Sequence, residues 1–380
     1  MIRRRDVLVV TLTLLGCLGV AWVRPLSFPG AHDLPAHISD QAFWRMVSEF
    51  SEPDGYFRSD NLLSNEDAFQ TVIPRLKASV PRGGVYLGVG PEQNFTYLVA
   101  VQPRVAFIID IRRLNLDVHL LYKALVELSG DRAEFLSRLF SRRRPAGLGA
   151  ASTVEALFEA YGREAASDIL FQQNLQAVRD RLLKHHGFAL TGDDLKNIEY
   201  VYGVFRDAGP DLNYRFSGGG RGGGWGRFPT YAGLMMETDG IGEHQSYLAT
   251  EANFRILRGL QSNNLVIPVV GDFAGDKALR AVGRYLKAQG ATVSAFYTSN
   301  VEQYLFRDGD AWKRFYANVG TLPVDGRSTF IRSVNRGFGY QPYVSPGRRA
   351  ETRLCPIADL LKALDEGRIS TYSDVAVMSK

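Results

Sequence analysis

The sequence predicts an α/β protein with a doubly wound, mainly parallel sheet, and three observations carry that expectation. Largely apolar runs recur at Val85–Leu87, Val105–Ile109, Leu265–Val270, Thr292–Tyr297 and Ser328–Val334, the composition of strands buried on both faces. Helical periodicity fills the intervals between them. The runs end in Gly88 to Gly90, Asp110, Gly271-Asp272 and Ser299-Asn300, glycines and polar residues gathered where such sheets bind ligands, beyond the carboxyl ends of the strands.

The first unit is the most informative. Val85 to Leu87 form a strand, and Gly88 and Gly90 then let the backbone turn sharply and approach a ligand. Pro91 suits the first turn of a helix, and Glu92, Gln93 and Asn94 open it, where unpaired N–H groups favour polar partners. Asp110 lies 20 residues after Gly90, the offset at which such units place a carboxylate against ribose hydroxyls. The third glycine of the dinucleotide pattern is absent, so the spacing suits a nucleoside-like ligand and a plain structural turn equally well.

The N-terminus is the second marked region. Arg3 to Arg5 precede an uncharged 17-residue run, Val7 to Val23, closed by Arg24-Pro25. Residues 1–25 are expected to be a signal peptide or membrane anchor that places the remainder outside the cytoplasm, in the periplasm or held at the inner membrane. Leu14-Leu15-Gly16-Cys17 resembles a lipobox. Residues 26–40 read as a tether, and 41–380 as one α/β domain with a helical and glycine-rich insertion at about 145–258.

Composition narrows the partners. Four arginines against one aspartate give residues 1–24 a charge of +3 of the formal +5, so nothing marks a nucleic-acid footprint on the rest. Cys17 and Cys355 leave the domain without an internal disulfide, and Cys355 reads as a small core residue. The histidines lack metal-ligand spacing, and no metal site is expected.

Elsewhere the pattern is helical. Gln41 to Phe50 reads as an amphipathic helix, and a second is expected from Asn65 to Leu76, capped by Ser64. The polar cluster Ser59, Asp60, Asn61, Ser64, Asn65 and Glu66 reads first as capping and turn chemistry, with a place at the ligand cleft as the alternative. Helices are expected from Asp110 to about Arg144, from Ser152 to about Val204, and over Asp276–Gln289 and Asp310–Asn318. The loop Ser217 to Tyr231, with six glycines between Gly218 and Gly224, reads as an exposed insertion or a lid.

A glycine turn after the first strand, an acid after the second, Gly-Asp-Phe after the third and Ser-Asn after the fourth resembles the class I S-adenosylmethionine-dependent methyltransferases, a Rossmann-like fold. FRSDNLLSNE, LVIPVVGDFAG and FYTSNVEQYLF also look like an uncharacterised bacterial family of that fold type. The resemblance implies S-adenosylmethionine as cofactor, with Gly88, Gly90, Glu92 and Asn94 beside its methionine part, Asp110 on the ribose, and Asp272 and Phe273 near adenine. It implies a substrate site at Ser299 and Asn300, with Asn300 or Glu302 orienting the nucleophile. The sequence departs from that pattern at Tyr86, where the family carries an acid two positions before the first glycine. Two functions follow as expectations: a methyltransferase, or a non-catalytic envelope binding or structural protein that reuses the fold.

Overall fold

A computed structural model describes residues 34–214, 228–335 and 350–380. The expected signal or anchor with Cys17, most of the tether and the glycine run of the loop lie outside the described residues. Within them no helix is long and apolar enough to cross a membrane.

The chain forms a mixed α/β structure around one six-stranded sheet. Its strands are β1 (Val85–Gly88), β2 (Val105–Asp110), β3 (Val266–Val270), β4 (Val293–Ser299), β5 (Val324–Asn335) and β6 (Ala350–Pro356), arranged in the order β3-β2-β1-β4-β5-β6. β1 to β5 are parallel, and β6 returns antiparallel to β5 at the edge. All five parallel strands therefore end on one side of the sheet. The chain builds outward from β1 to β3, then crosses back to β4, so the strand order reverses between β1 and β4, where sheets of this kind open a crevice.

The strands form because their residues have two apolar faces to bury: every residue of β1, β2 and β3 is buried. Phe107 of β2 meets Phe50 and Tyr285, which docks the helices Asp40–Phe50 and Ala278–Ala288. Phe273, Phe296, Phe315 and Phe330 pack as a group against β4 and β5. The helix after β1, Gln93–Val101, is buried along its whole length, which is why its sequence shows little amphipathic alternation. Among the described residues seven α-helices lie between β2 and β3, in the region read as helical and insertional: Arg113–Glu127, Arg132–Leu139, Val154–Arg163, Asp168–Arg179, Gly192–Ala208, Tyr231–Met236 and Glu251–Ser262.

Two local expectations are corrected. The helix expected from Asn65 begins only at Ile73, after a 3-10 turn at Phe69–Val72. Ser64 is not its cap, because its hydroxyl is engaged by Gln93 and accepts from the Glu66 amide, and Ala68 sits at a φ of 58° that interrupts any helix. β6 was also not expected, since its alternation of Glu351, Arg353 and small residues is that of a half-covered edge strand.

One fully enclosed ion pair ties the far side of the sheet together. Arg332 of β5 is 0% and Glu302 1% exposed; the guanidinium donates to both carboxylate oxygens, while Tyr316 and Thr298 donate to the same carboxylate. Removing one partner strands the other charge in the interior, at a cost of roughly 3–5 kcal/mol. Glu302→Leu should thus lower stability by about that amount in urea denaturation, whereas pairing it with Arg332→Met should recover most of the loss, about 2 kcal/mol or more. Equal destabilisation by the single and double variants would show that the pair is not what the site depends on.

Candidate functional site

Residues 51–68 have no helix or strand, yet they are pinned at every step as they cross the carboxyl edge of the sheet from β3 to β4. At β3 the Glu52 amide donates to the Val270 carbonyl at 2.8 Å, and the Glu52 carboxylate accepts from the amides of Asp272, Lys277 and Ala278 at 2.9, 2.9 and 2.8 Å. Past β2, the Gly55 amide donates to Ile111 at 2.8 Å, and Asp54 accepts from the Arg113 amide at 2.6 Å. A Cβ on Gly55 would stand 2.4 Å from Ile111, so only glycine permits this approach. Beside β1 the Ser64 amide donates to Glu92, and at β4 Ser299 donates to Glu66.

Beneath this strap lies a cavity of about 310 Å³. Tyr56, Phe57, Asn61, Ser64, Asn65 and Glu66 line it from the strap, and Gly90, Asp110, Asp272, Phe273, Ser299 and Asn300 from the strand ends. Six of the ten residues expected at a site thus converge on one space. Four of the six polar residues read first as capping chemistry also face it; Ser59 and Asp60 instead offer their carbonyls to Arg112.

The glycine turn is built from below. Gly90 has a φ of 75°, which a side-chain-bearing residue adopts only with strain, and its carbonyl accepts from His119 Nε2 at 2.8 Å. Burial pushes His119 down to about 4, so the ring is neutral near pH 7 and donates through Nε2. Asn94 Nδ2 donates to the carbonyls of Val89, Gly90 and Pro91 at 2.9, 3.2 and 2.7 Å, and its Oδ1 accepts from Tyr86 Oη at 2.9 Å. Tyr86 therefore has a structural task where the resembling family carries an acid.

This geometry places four expected site residues away from the cavity wall. Gly88, Glu92, Asn94 and Glu302 are not among the cavity's lining residues. Gly88 lies under the turn, where a Cβ would stand 2.0 Å from Asn94 Oδ1. Asn94 and Glu92 brace the turn and the strap from behind. Glu302, expected to orient a nucleophile, is consumed by Arg332 and Tyr316.

The cavity wall is acidic. Asp110 accepts from Arg112 three times, at 3.0 Å from the backbone amide, Nε and Nη2. A carboxylate offers about four lone pairs, so Oδ2 keeps room for one further donor. Asp272 Oδ1 accepts from the Ala274 amide at 2.9 Å. With Glu66 and Asp308, four carboxyl residues line the space against one basic residue among the described residues, Arg112, which is already paired. Burial raises the Glu66 carboxyl above its ordinary range, opposed by hydrogen bonds from Ser299, Gln93, Tyr297 and Ser333. Two non-glycine residues at the wall, Asn61 and Ser299, hold a φ of 51°, a conformation that costs roughly 1–2 kcal/mol and recurs at functional sites. Phe57 packs edge-on to Tyr304 at 5.4 Å, with the Arg112 guanidinium 5.7 Å above its ring.

Sequence reasoning missed Tyr56, Phe57, Arg112 and Tyr304. The available signal was length: some 18 residues without periodicity inside a compact domain usually have a binding role. Among the described residues no group of three or more histidine, cysteine, aspartate or glutamate side chains is arranged to hold a metal ion. Residues 62–380 match the sequence model of a family described as Domain of unknown function (DUF7790), and no curated protein matches the chain.

Glu92 provides a test of the buried wall. Burial pushes its carboxyl from 4.5 to about 8, and its Oε2 is buried without a hydrogen-bond partner, as suits a protonated acid. Folding thus favours the protonated form: the penalty is absent below pH 4.5, grows as pH rises toward 8, and is constant above. Glu92→Gln should be more stable than the parent at pH 8 to 9 by an amount on the order of a few kcal/mol, with no such gain at pH 4, measured by denaturant unfolding. A gain independent of pH would contradict the assignment.

Proposed function

We propose that this chain, which belongs to that domain family, binds a cationic nucleoside of the S-adenosylmethionine type in the cavity beneath the strap and transfers its methyl group. The carrying observation is the wall itself: among the described residues, aromatic faces beside four carboxyl residues and a single, already neutralised arginine. Such a wall repels polyphosphates and suits a ligand with positive charge and hydroxyl donors. The strand order 3-2-1-4-5-6, the glycine turn after β1 and the acid ending β2 support a Rossmann-like reading of the sheet.

The residues present fit that group. Asp110 Oδ2 has a lone pair free for a ribose hydroxyl, Asp272 has its second oxygen, and Gly90 allows close backbone approach at the turn. When bound, S-adenosylmethionine supplies a methyl group already activated by its sulfonium, so the protein's share is positioning and exclusion of water. Tyr56 and Phe57 cover the space from the strap, and Asn300, at the start of the helix Val301–Leu305, orients the acceptor in place of Glu302.

A second reading has its own support. The Asp110 carboxylate is largely occupied by Arg112, and the N-terminal arginines and apolar run favour export, away from the compartment where the cofactor is made. On that reading the protein is a non-catalytic binding protein of the cell envelope, at the inner membrane or in the periplasm. A reporter fused after Lys380 that is active only outside the cytoplasm would support it.

Calorimetry of the full chain tests the main reading. S-adenosylmethionine should bind, adenosine triphosphate should bind at least about tenfold more weakly, and Asp272→Asn should weaken S-adenosylmethionine by roughly 10- to 150-fold, the worth of one charge-assisted hydrogen bond. Failure of both S-adenosylmethionine and its demethylated product to bind at millimolar concentration would remove the methyltransferase reading.

A further inference from the structure

Several buried or nearly buried carboxylates of this fold sit against cations. Glu302 has Arg332, Asp110 has Arg112, Asp194 has Arg113, Glu251 has Arg132, and Glu127 has Lys123 and His186. Glu66 differs. It is 1% exposed, it lines the cavity, and its partners are neutral: the hydroxyls of Ser299, Tyr297 and Ser333 and the amide of Gln93 at 3.0 Å. Among the described residues no basic side chain forms an ion pair with it.

Its place in the cavity is also distinct. Asp110 and Asp272 follow β2 and β3, whereas Glu66 is held by residues of β4 and β5, on the other side of the strand-order reversal. β2 and β4 are two strand spacings apart, about 10 Å, which separates a nucleoside seat from a seat for a second molecule. Tyr56, Phe57 and Tyr304 line the same space, and offer apolar surface to whatever hangs from the charged group.

We propose that Glu66 is the seat of the methyl acceptor and that the acceptor is an amine, whose ammonium group supplies the countercharge the fold leaves out. The inference rests on the methyl-transfer reading of the cavity. The amine docks as an ammonium on the carboxylate, displacing one of its four hydrogen-bond donors, and passes one proton to it. The freed lone pair forms the N–C bond as the C–S bond breaks, and that bond's electron pair returns to sulfur, leaving a neutral thioether. The product nitrogen carries the positive charge that left the sulfur, and the proton held by Glu66 goes to solvent. Ser299 and Gln93 are positioning residues in this scheme, holding the carboxylate at the wall.

The test uses 2-phenylethylamine and its neutral counterpart 2-phenylethanol, each titrated calorimetrically into the full chain. The amine should bind at least about tenfold more tightly, and Glu66→Gln should bring the two within about twofold, since one charge-assisted hydrogen bond carries the difference. Ser299→Ala removes a donor and leaves the charge, so it should keep the preference; if Glu66→Gln does not fold, the comparison in the unmodified chain and in Ser299→Ala decides. No preference for the amine, or a preference that survives Glu66→Gln, overturns the proposal even where S-adenosylmethionine binds. An amine preference in a chain that does not bind S-adenosylmethionine overturns the acceptor role together with the methyl-transfer reading, and leaves Glu66 as an amine seat alone.

Discussion

The arrangement of this molecule depends on one fork. Arg112 closes on Asp110 with two side-chain donors and, with its remaining nitrogen, holds the carbonyls of Ser59 and Asp60. That single guanidinium joins the end of β2 to the middle of the strap, and so fixes the distance between the sheet edge and its cover. It acts beside the bonds of Asp54 and Gly55 past β2 and of the Tyr200 hydroxyl to Asp60 at 2.7 Å, while Glu52 near β3 and Ser64 and Glu66 near β1 and β4 hold the ends. A planar group with five donors in fixed geometry suits the task, which a lysine at the same position would not perform.

The same economy runs through the buried charges. Glu302 with Arg332, and Glu127 with Lys123 and His186, are structural pairs whose desolvation is offset within the fold. Glu92 and Glu66 have no such offset, and both are pushed toward the protonated form. They differ in position: Glu92 lies behind the turn, but Glu66 lines the cavity. A buried acid behind a wall is a cost to stability, while one in the wall is available to a ligand. Backbone strain at Asn61 and Ser299 falls on that same wall.

The sheet was legible because burial on both faces demands largely apolar runs, as in β1 to β4, and β5 showed itself through its buried half, Ser328–Val334. The carboxyl edge followed from strand direction, which is why Gly90, Asp110, Asp272, Ser299 and Asn300 were expected there, while Phe273 entered only through the resemblance to methyltransferases; all six line the cavity. β6 and the strap were not legible, since an edge strand and an irregular segment have no period to detect. Asn94 and Glu302 illustrate a second limit. Strand-end position places a residue near the edge, but which way its side chain turns is decided by its particular partners, the nearby Tyr86 and turn carbonyls for Asn94, the more distant Arg332 and Tyr316 for Glu302.

The central claim is that the strap roofs a ligand site at the reversal of strand order. Hydrogen–deuterium exchange of the full chain, with and without S-adenosylmethionine, measures this most directly. The account predicts added protection in residues 51–68 together with the turn at Val89–Pro91 and the β3 end at Gly271–Phe273, because a ligand in the cavity holds cover and edge together. Protection confined to other segments, or none at saturating ligand, would contradict it.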